Sequence, residues 1–359
     1  MATGIRGRRW LPSGRTSAIV AVVVAVLAGG GWAAKPVWQP WWYAARLCGG
    51  HLSGGELADL LPDERLRAGR DTFGSGNRVL RCGVDEGDGR HFVLRIEAQT
   101  DTGARLGPLD MEFGIPRDVG HPFPASVPGF YGNFGPVIVQ DCPKLGRGHR
   151  LVTQVYSHGV EDGPSTASLR TAVRIANGAG AELGCGAKPL PLPDRVEPVR
   201  KLSLSRAGNT MCGWLSRAAL PDSPSGRAWQ VVAPTDDRAA ITSCSLIDSG
   251  TGESVDFSGW YGDWTAEPFE RLLSNNARLP DDLGADEALL GEDFGRAKAR
   301  CAGESANFLA NNYPTKTGRA ALSTGEVRGL LNAFATDQAE RRDCTELELP
   351  GPTVYPRRG

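Results

Sequence analysis

Cys48 and His51 stand three residues apart in the stretch LCGGHLSGGELADLLP. A Cys-x-x-His pair has the types and spacing of half a zinc site, or of a thiol beside its base. Near an N-terminus, such a cysteine could also carry a lipid, but Leu47 stands where a lipidation signal needs a small residue. A second stretch, MCGWLSRAALP around Cys212, repeats the cysteine, the glycine and the Leu-Ser that follows, and it lacks the histidine. What persists between the two stretches is scaffold, so Cys48 reads as a structural staple.

Other chemistry-bearing groups are sparse. Asp110 and Glu112 in PLDMEFGIP alternate along a strand-like run, and paired carboxylates are the machinery of glycoside hydrolysis. The solvated face of a half-buried strand is the favoured reading of them. His149 and His158 flank the strand-like RLVTQVYS, and all five histidines (His51, His91, His121, His149 and His158) precede Cys212. The acidic run DDLGADEALLGED, Asp281 to Asp293, offers oxygen ligands for Ca²⁺ without EF-hand spacing. No G-x-S-x-G, S-x-x-K, H-E-x-x-H, P-loop or C-x-x-C occurs. No catalytic residue, metal or cofactor is therefore expected. Aromatic rings in loop-like stretches are the best binding candidates: Trp260, Tyr261 and Trp264 in DFSGWYGDWTAEPFERLL, and Phe130 and Tyr131 in HPFPASVPGFYGNFG. Their competing role is to complete a small core, or to pack between two copies.

The elements that would position these groups are set by the cysteines. Cys48, Cys82, Cys142 and Cys185 are separated by 34, 60 and 43 residues; Cys212, Cys244, Cys301 and Cys344 by 32, 57 and 43. Two such similar sets imply an internal duplication of about 160 residues. Each copy opens on a cysteine and a short helix with a Leu-Ser start, Ser53 and Glu56 forming a capping box in the first copy and Ser216 capping the second. Pro62 and Pro221 stop these helices. The second cysteine sits in a hairpin, turning at Gly87-Asp88-Gly89 or at Ser249 to Gly252. GPVIVQDC reads as extended before the third cysteine, whereas its counterpart AKARCAGESANFLANNY is open to a helical reading. The fourth cysteine ends an amphipathic helix, lined by Leu169, Ala172, Val173 and Ala176 or by Val327, Leu330, Leu331 and Phe334, the latter with a Ser323–Glu326 capping box. The expected fold is α+β: an N-terminal transmembrane helix, then two duplicated domains, each a mainly antiparallel sheet with a short N-terminal helix and a longer covering helix.

An even cysteine count outside the cytoplasm argues for disulfides. Four cysteines allow three pairings per copy. Neighbours in sequence are favoured: Cys48–Cys82, Cys142–Cys185, Cys212–Cys244 and Cys301–Cys344. The nested arrangement, first to fourth and second to third, is the main rival.

The formal net charge is −1, but Arg6, Arg8, Arg9 and Arg15 put +4 in the first 16 residues and leave −5 on the rest. A mildly acidic body offers no footprint for nucleic acid. Ser17 to Ala34 carries no charge and, as a helix, spans about 27 Å, enough for a hydrocarbon core. Trp32 near its end and Trp38, Trp41, Trp42 and Tyr43 after it form an aromatic belt. A cleaved signal peptide is the rival reading. The expected layout is a cytoplasmic tail (1–16), a transmembrane helix (17–34), a juxtamembrane segment (35–45), repeat 1 (46–193), a linker (194–209), repeat 2 (210–352) and a C-terminal tail (353–359). The expected location is the cell membrane, single-pass, with the repeats extracytoplasmic.

CGGHLSGGELADLLP and CGWLSRAALP, each with a second cysteine about 30 residues on, resemble small actinobacterial envelope proteins, many of them lipoproteins with one copy of such a domain. Duplicated behind one apolar segment, the pattern is similar to membrane-anchored envelope proteins of streptomycete-type bacteria. The resemblance covers mainly the first 40 residues of each copy; it implies compartment and architecture and brings no activity. The functional expectation is a non-catalytic module that binds an envelope protein, a wall polymer or a small ligand. The alternatives are a carboxylate-dependent cell-wall hydrolase and a scaffold subunit of a membrane complex.

Overall fold

The computed structural model describes residues 35–76, 79–100, 126–132, 135–157, 165–196, 200–233, 239–266, 287–312 and 320–356, with residues 22, 123, 269 and 270 besides. The chain is sheet-rich. In the first repeat, β1 (Leu66–Ala68), β2 (Val79–Glu86), β3 (Phe92–Thr100), β4 (Gly129–Gly132), β5 (Gly135–Asp141) and β6 (Arg150–Ser157) form an antiparallel sheet in the order β1-β2-β3-β6-β5-β4. In the second, β7 (Leu202–Ser203), β8 (Trp229–Val232), β9 (Ile241–Asp248), β10 (Ser254–Tyr261), β11 (Leu289–Gly291), β12 (Phe294–Cys301) and β13 (Glu304–Asn311) run β11-β12-β13-β10-β9-β8-β7. Strands β8 to β13 take the order that β1 to β6 take in the first sheet. The second sheet gains β7 on one edge, β15 (Val354–Tyr355) parallel to β11 on the other, and β14 (Thr345–Glu348) against β12.

Two long helices cover the sheets, α3 (Thr166–Glu182) and α4 (Thr324–Arg341). The side chain of Ser165 accepts the Ser168 N–H at the start of α3, and Gly184, at φ 68°, supplies the left-handed residue that ends it. The Ser323–Glu326 capping box opens α4. Leu169, Ala172, Val173 and Ala176 of α3 bury against Leu80, Ile96, Ile138, Leu151 and Val155. Val327, Leu330, Leu331 and Phe334 of α4 bury against Leu246, Phe257, Ala297 and Phe308. Each large apolar side chain so buried contributes about 1.5–3 kcal/mol, which is why these faces dominate their elements.

Strand alternation directs the opposite residues away from the helices. Val137, Val139 and Val152 point off the back of the first sheet, and together with Phe130 they meet Ile241, Trp260, Phe294 and Leu309 off the back of the second. The result is four layers, α3, sheet, sheet and α4, with a third core joining the repeats.

All four disulfides link neighbouring cysteines: Cys48–Cys82, Cys142–Cys185, Cys212–Cys244 and Cys301–Cys344. Each ties an element at one end of a repeat to a strand, either the opening turn to the hairpin or the long helix to the strand beneath it.

Several expectations are corrected. No helix among the described residues is long and apolar enough to cross a membrane. The expected transmembrane helix and the membrane location built on it are overturned by that finding; residues 17–34, Val22 apart, lie outside the described residues. The helix that is described at this end, α1 (Lys35–Arg46), has 12 residues and spans about 18 Å. It is drawn onto the first sheet. The Gln39 side chain donates to Glu64 O (2.5 Å) and accepts the Leu66 N–H (3.1 Å), and Lys35 Nζ donates to Leu66 O (2.7 Å). Tyr43 is fully buried there, while Trp38, Trp41 and Trp42 remain exposed.

The capping box expected at Ser53 and Glu56 does not form: the Ser53 side chain makes no capping bond to α2 (Gly54–Leu60). Glu56 instead turns inward to two guanidinium groups of α3, with 2.9 Å to Nε of both Arg170 and Arg174. Charge-assisted contacts are stronger than a neutral cap, so the tertiary pairing wins. The second repeat clamps the same elements with the polarity reversed: Asp337 on α4 holds Arg217, with Arg341 beside it. The short helix expected at Ser216 is a 3-10 turn, Gly213–Ser216, that ends on that serine. Residues around Cys301 are not helical; β12 and β13 form a hairpin whose turn, Ala302-Gly303, has φ of 53° and 85°. Both values are those of a type I′ turn. Of the segment 194–209, residues 202–209 form β7 and a 3-10 turn on the second sheet's edge.

Candidate functional site

Cys48 is consumed by its disulfide, so it offers neither a metal nor a substrate a thiolate. His51 packs on the bare backbone of Gly178 in α3, where a Cβ would lie 2.3 Å from its ring, and tilts against Phe73. Its role there is packing.

The five aromatic candidates are all buried, at 8% exposure or less. Tyr131 belongs to the first repeat's core, where it meets Phe123 edge-on. Tyr261 belongs to the second; its hydroxyl donates to Gln338 Oε1 (2.9 Å) and the Arg342 guanidinium covers its ring at 3.4 Å. Burial pushes the hydroxyls of both tyrosines up from their ordinary pKa. Phe130, Trp260 and Trp264 lie in the core between the repeats. Trp260 donates its indole N–H to Ser258 Oγ, and Trp264 donates to Tyr261 O, both at 2.9 Å. The rings therefore do not form one open face.

Of these five, Trp264 borders a groove. At the seam between the repeats, a cleft of about 480 Å³ runs between the loop after β5 and the β12–β13 turn. Arg147, His149, Asp263, Trp264 and Glu304 line it. Each is held by local geometry. Gly262, at φ 103°, turns the chain so that Asp263 and Trp264 face the seam; a Cβ there would meet Trp264 at 2.7 Å and Glu304 at 2.9 Å. Asp263 Oδ1 accepts the Ser305 N–H (2.8 Å). Across the seam, Arg147 donates to Ala302 O (3.2 Å), and Arg150 lies 3.7 Å from Glu304. One cation, two carboxylates and an imidazole thus line the groove beside an indole edge, with Arg150 paired to Glu304 next to it. That set recognises a polar, hydrogen-bonding ligand by charge and direction. Trp264 was legible as a binding candidate and His149 only as a histidine flanking a strand; Arg147, Asp263 and Glu304 were not legible, since only the packing of the two repeats brings them together.

The remaining candidates are scattered. His91 sits at the β2–β3 turn with Nδ1 3.3 Å from Glu86 Oε2; one ligand atom each from Glu86, Asp88 and His91 lies within 4.8 Å of the others. This cluster is the one with metal-ligand spacing among the described residues, and it lies on the surface with Asp88 already accepting from Arg90 N–H (2.9 Å). Asp110, Glu112, His121, His158 and residues 281–286 lie outside the described residues.

A titrating group sits on the sheet–sheet face itself. Asp256 of β10 is half-buried and accepts from Ser245 Oγ (2.5 Å); burial pushes its carboxyl up to about 6. The folded protein therefore binds this proton more tightly than the unfolded chain. The sign follows: this group's contribution to stability is fully present below the ordinary carboxylate range and is lost as pH rises through about 6. Asp256→Asn is expected to remove that fall and to be more stable than the parent at neutral pH by about 1–3 kcal/mol. Urea denaturation of both proteins across the acidic range checks it; parallel pH curves would contradict it.

Comparison with protein-family models, with curated proteins and with solved structures finds no match.

Proposed function

We propose that the chain is a non-catalytic binding module for an oxidising compartment, and that it takes a polar ligand, a glycan or a peptide segment, in the groove at the seam of its two repeats. The observation that carries this reading is the convergence of Arg147, His149, Asp263 and Glu304 from both repeats beside Trp264. Four disulfides support the compartment, because such bonds persist where thiols are oxidised. The polar groups at the seam are engaged with backbone or with each other, which suits positioning of a ligand. The carboxylate-hydrolase alternative rests on Asp110 and Glu112, and no described geometry favours it over binding.

Glycan and peptide arrays probed with the full, oxidised chain provide the test. A selected ligand, incubated with the protein and recovered for mass spectrometry, is expected to return chemically intact. Cleavage products that accumulate with time would replace the binding reading by an enzymatic one.

A further inference from the structure

A second groove lies in the first repeat, away from the seam. It has a volume of about 430 Å³ and runs over β2 and β3 beside residues 69–70. Its floor is backbone. Gly69 donates to Gly83 O (3.0 Å), and a Cβ on Gly83 would meet Leu94 O at 2.4 Å, so no side chain can fill this space. Its walls are charged: Arg70, Arg81 and Arg95 against Asp85 and Glu97. Arg81 and Glu97 are direct cross-strand partners in the register, and Nε of Arg81 lies 3.2 Å from Glu97 Oε1.

Glu97 is the telling residue. It is only 7% exposed, and its Oε2 is buried without a hydrogen-bond partner among the described residues. An unmet buried acceptor is costly, more so on a charged group. Burial pushes this carboxyl up, against the pull of Arg81 and Arg95. Arg95 stands with its guanidinium 4.4 Å from the centre of the Phe92 ring, a stacking that fixes its direction.

We propose that this groove binds a small hydroxy acid, with a sugar acid as the class that fits it. Three guanidinium groups against two carboxylates leave one positive charge, which one ligand carboxylate neutralises through Arg70 and Arg95. Oε2 of Glu97 calls for a donor, and a hydroxyl supplies one without adding charge. An ammonium would restore the excess, which disfavours amino acids. The volume lies within the range of small-molecule sites.

Calorimetric titration of the full chain with D-glucuronate and D-gluconate tests this, with D-glucose and acetate as probes of each half of the recognition. The sugar acids are expected to bind saturably, and glucose and acetate at least roughly tenfold more weakly. Arg95→Ala and Glu97→Gln should each weaken the sugar acid by roughly tenfold, the first by removing the anion's partner and the second the hydroxyl's acceptor. Arg147→Ala, at the seam, should leave this binding unchanged, so the two sites stand or fall separately. Absence of saturable binding by either sugar acid, acetate binding as well as glucuronate, or unaltered affinity in Arg95→Ala would each overturn the proposal. Arg95 is exposed, so its variant carries the test even if Glu97→Gln fails to fold.

Discussion

Replacing Cys142 and Cys185 together by alanine is expected to cost about 4 kcal/mol of stability, on the chain-entropy arithmetic for a loop of this size. The bridge closes 43 residues and ties the end of β5 to the turn after α3. Without it, α3 is held on its sheet by side-chain packing and by the Lys144 N–H donated to Cys185 O (3.1 Å). A domain of ordinary stability has about 5–15 kcal/mol in all, so one bridge is a large fraction and four together are decisive. Reduction under native conditions should therefore abolish near-UV circular dichroism. An order is expected as well. Cys48, Cys82, Cys212 and Cys244 are nearly inaccessible, whereas Cys301 and Cys344 are only partly buried. Mild reductant should open Cys301–Cys344 first, and timed alkylation with mass spectrometry reads that order directly. A double variant that melts with the parent would contradict the account of the staples.

Trp260→Ala carries the second large effect, about 3–5 kcal/mol. The ring is 2% exposed in the core between the sheets and meets Phe269 edge-on at 5.8 Å. It holds no part of either helix–sheet core, so its loss acts on the joint between the repeats. The cavity opens between Phe130 and Val152 on one side and Phe294 and Leu309 on the other. The expected signature is a drop in melting temperature with a broadened or split calorimetric transition, because the repeats lose the contact that makes them unfold together. Phe257→Ala, inside the second repeat's own core, should lower stability without splitting the transition. A sharp single transition in Trp260→Ala would show that the sheet–sheet core does not couple the repeats.

The particular elements show what the sequence could and could not reveal. The duplication was legible because the cysteine spacing occurs twice; the pairing was not fixed by it, since each copy still allowed three, and the structure selects neighbours in both. Ser323 and Glu326 were legible because a capping box is local, four residues that need nothing else. Ser53 and Glu56 have the same local signature, and it failed there because Arg170 and Arg174, more than a hundred residues away, offer Glu56 a stronger partner. The β12–β13 hairpin was hidden twice over. Alanine and asparagine give little strand propensity, and Ala302-Gly303 is not one of the usual type I′ pairs.

The aromatic residues teach a similar lesson. In DFSGWY, the period of two places Phe257 under α4 and Trp260 against the other repeat, so a stretch that reads as a sticky loop is a strand buried on both faces. The groove residues Arg147, Asp263 and Glu304 carry no motif, and only the third core brings them together. Arg81, Arg95 and Glu97 did leave a trace: charges at alternate positions of β2 and β3, on a face that strand alternation turns away from α3. Sequence alone does not say whether such a face meets water, a ligand or another sheet.

The central claim is that the seam between two stapled repeats is a ligand site. Titration of the array-selected ligand into the oxidised full chain, the parent against Arg147→Ala and Asp263→Ala, tests it most directly. One residue comes from each repeat, and the account predicts that each variant loses at least roughly tenfold in affinity while keeping its fold and its four disulfides. Undiminished affinity in both folded variants would place the ligand elsewhere and contradict it.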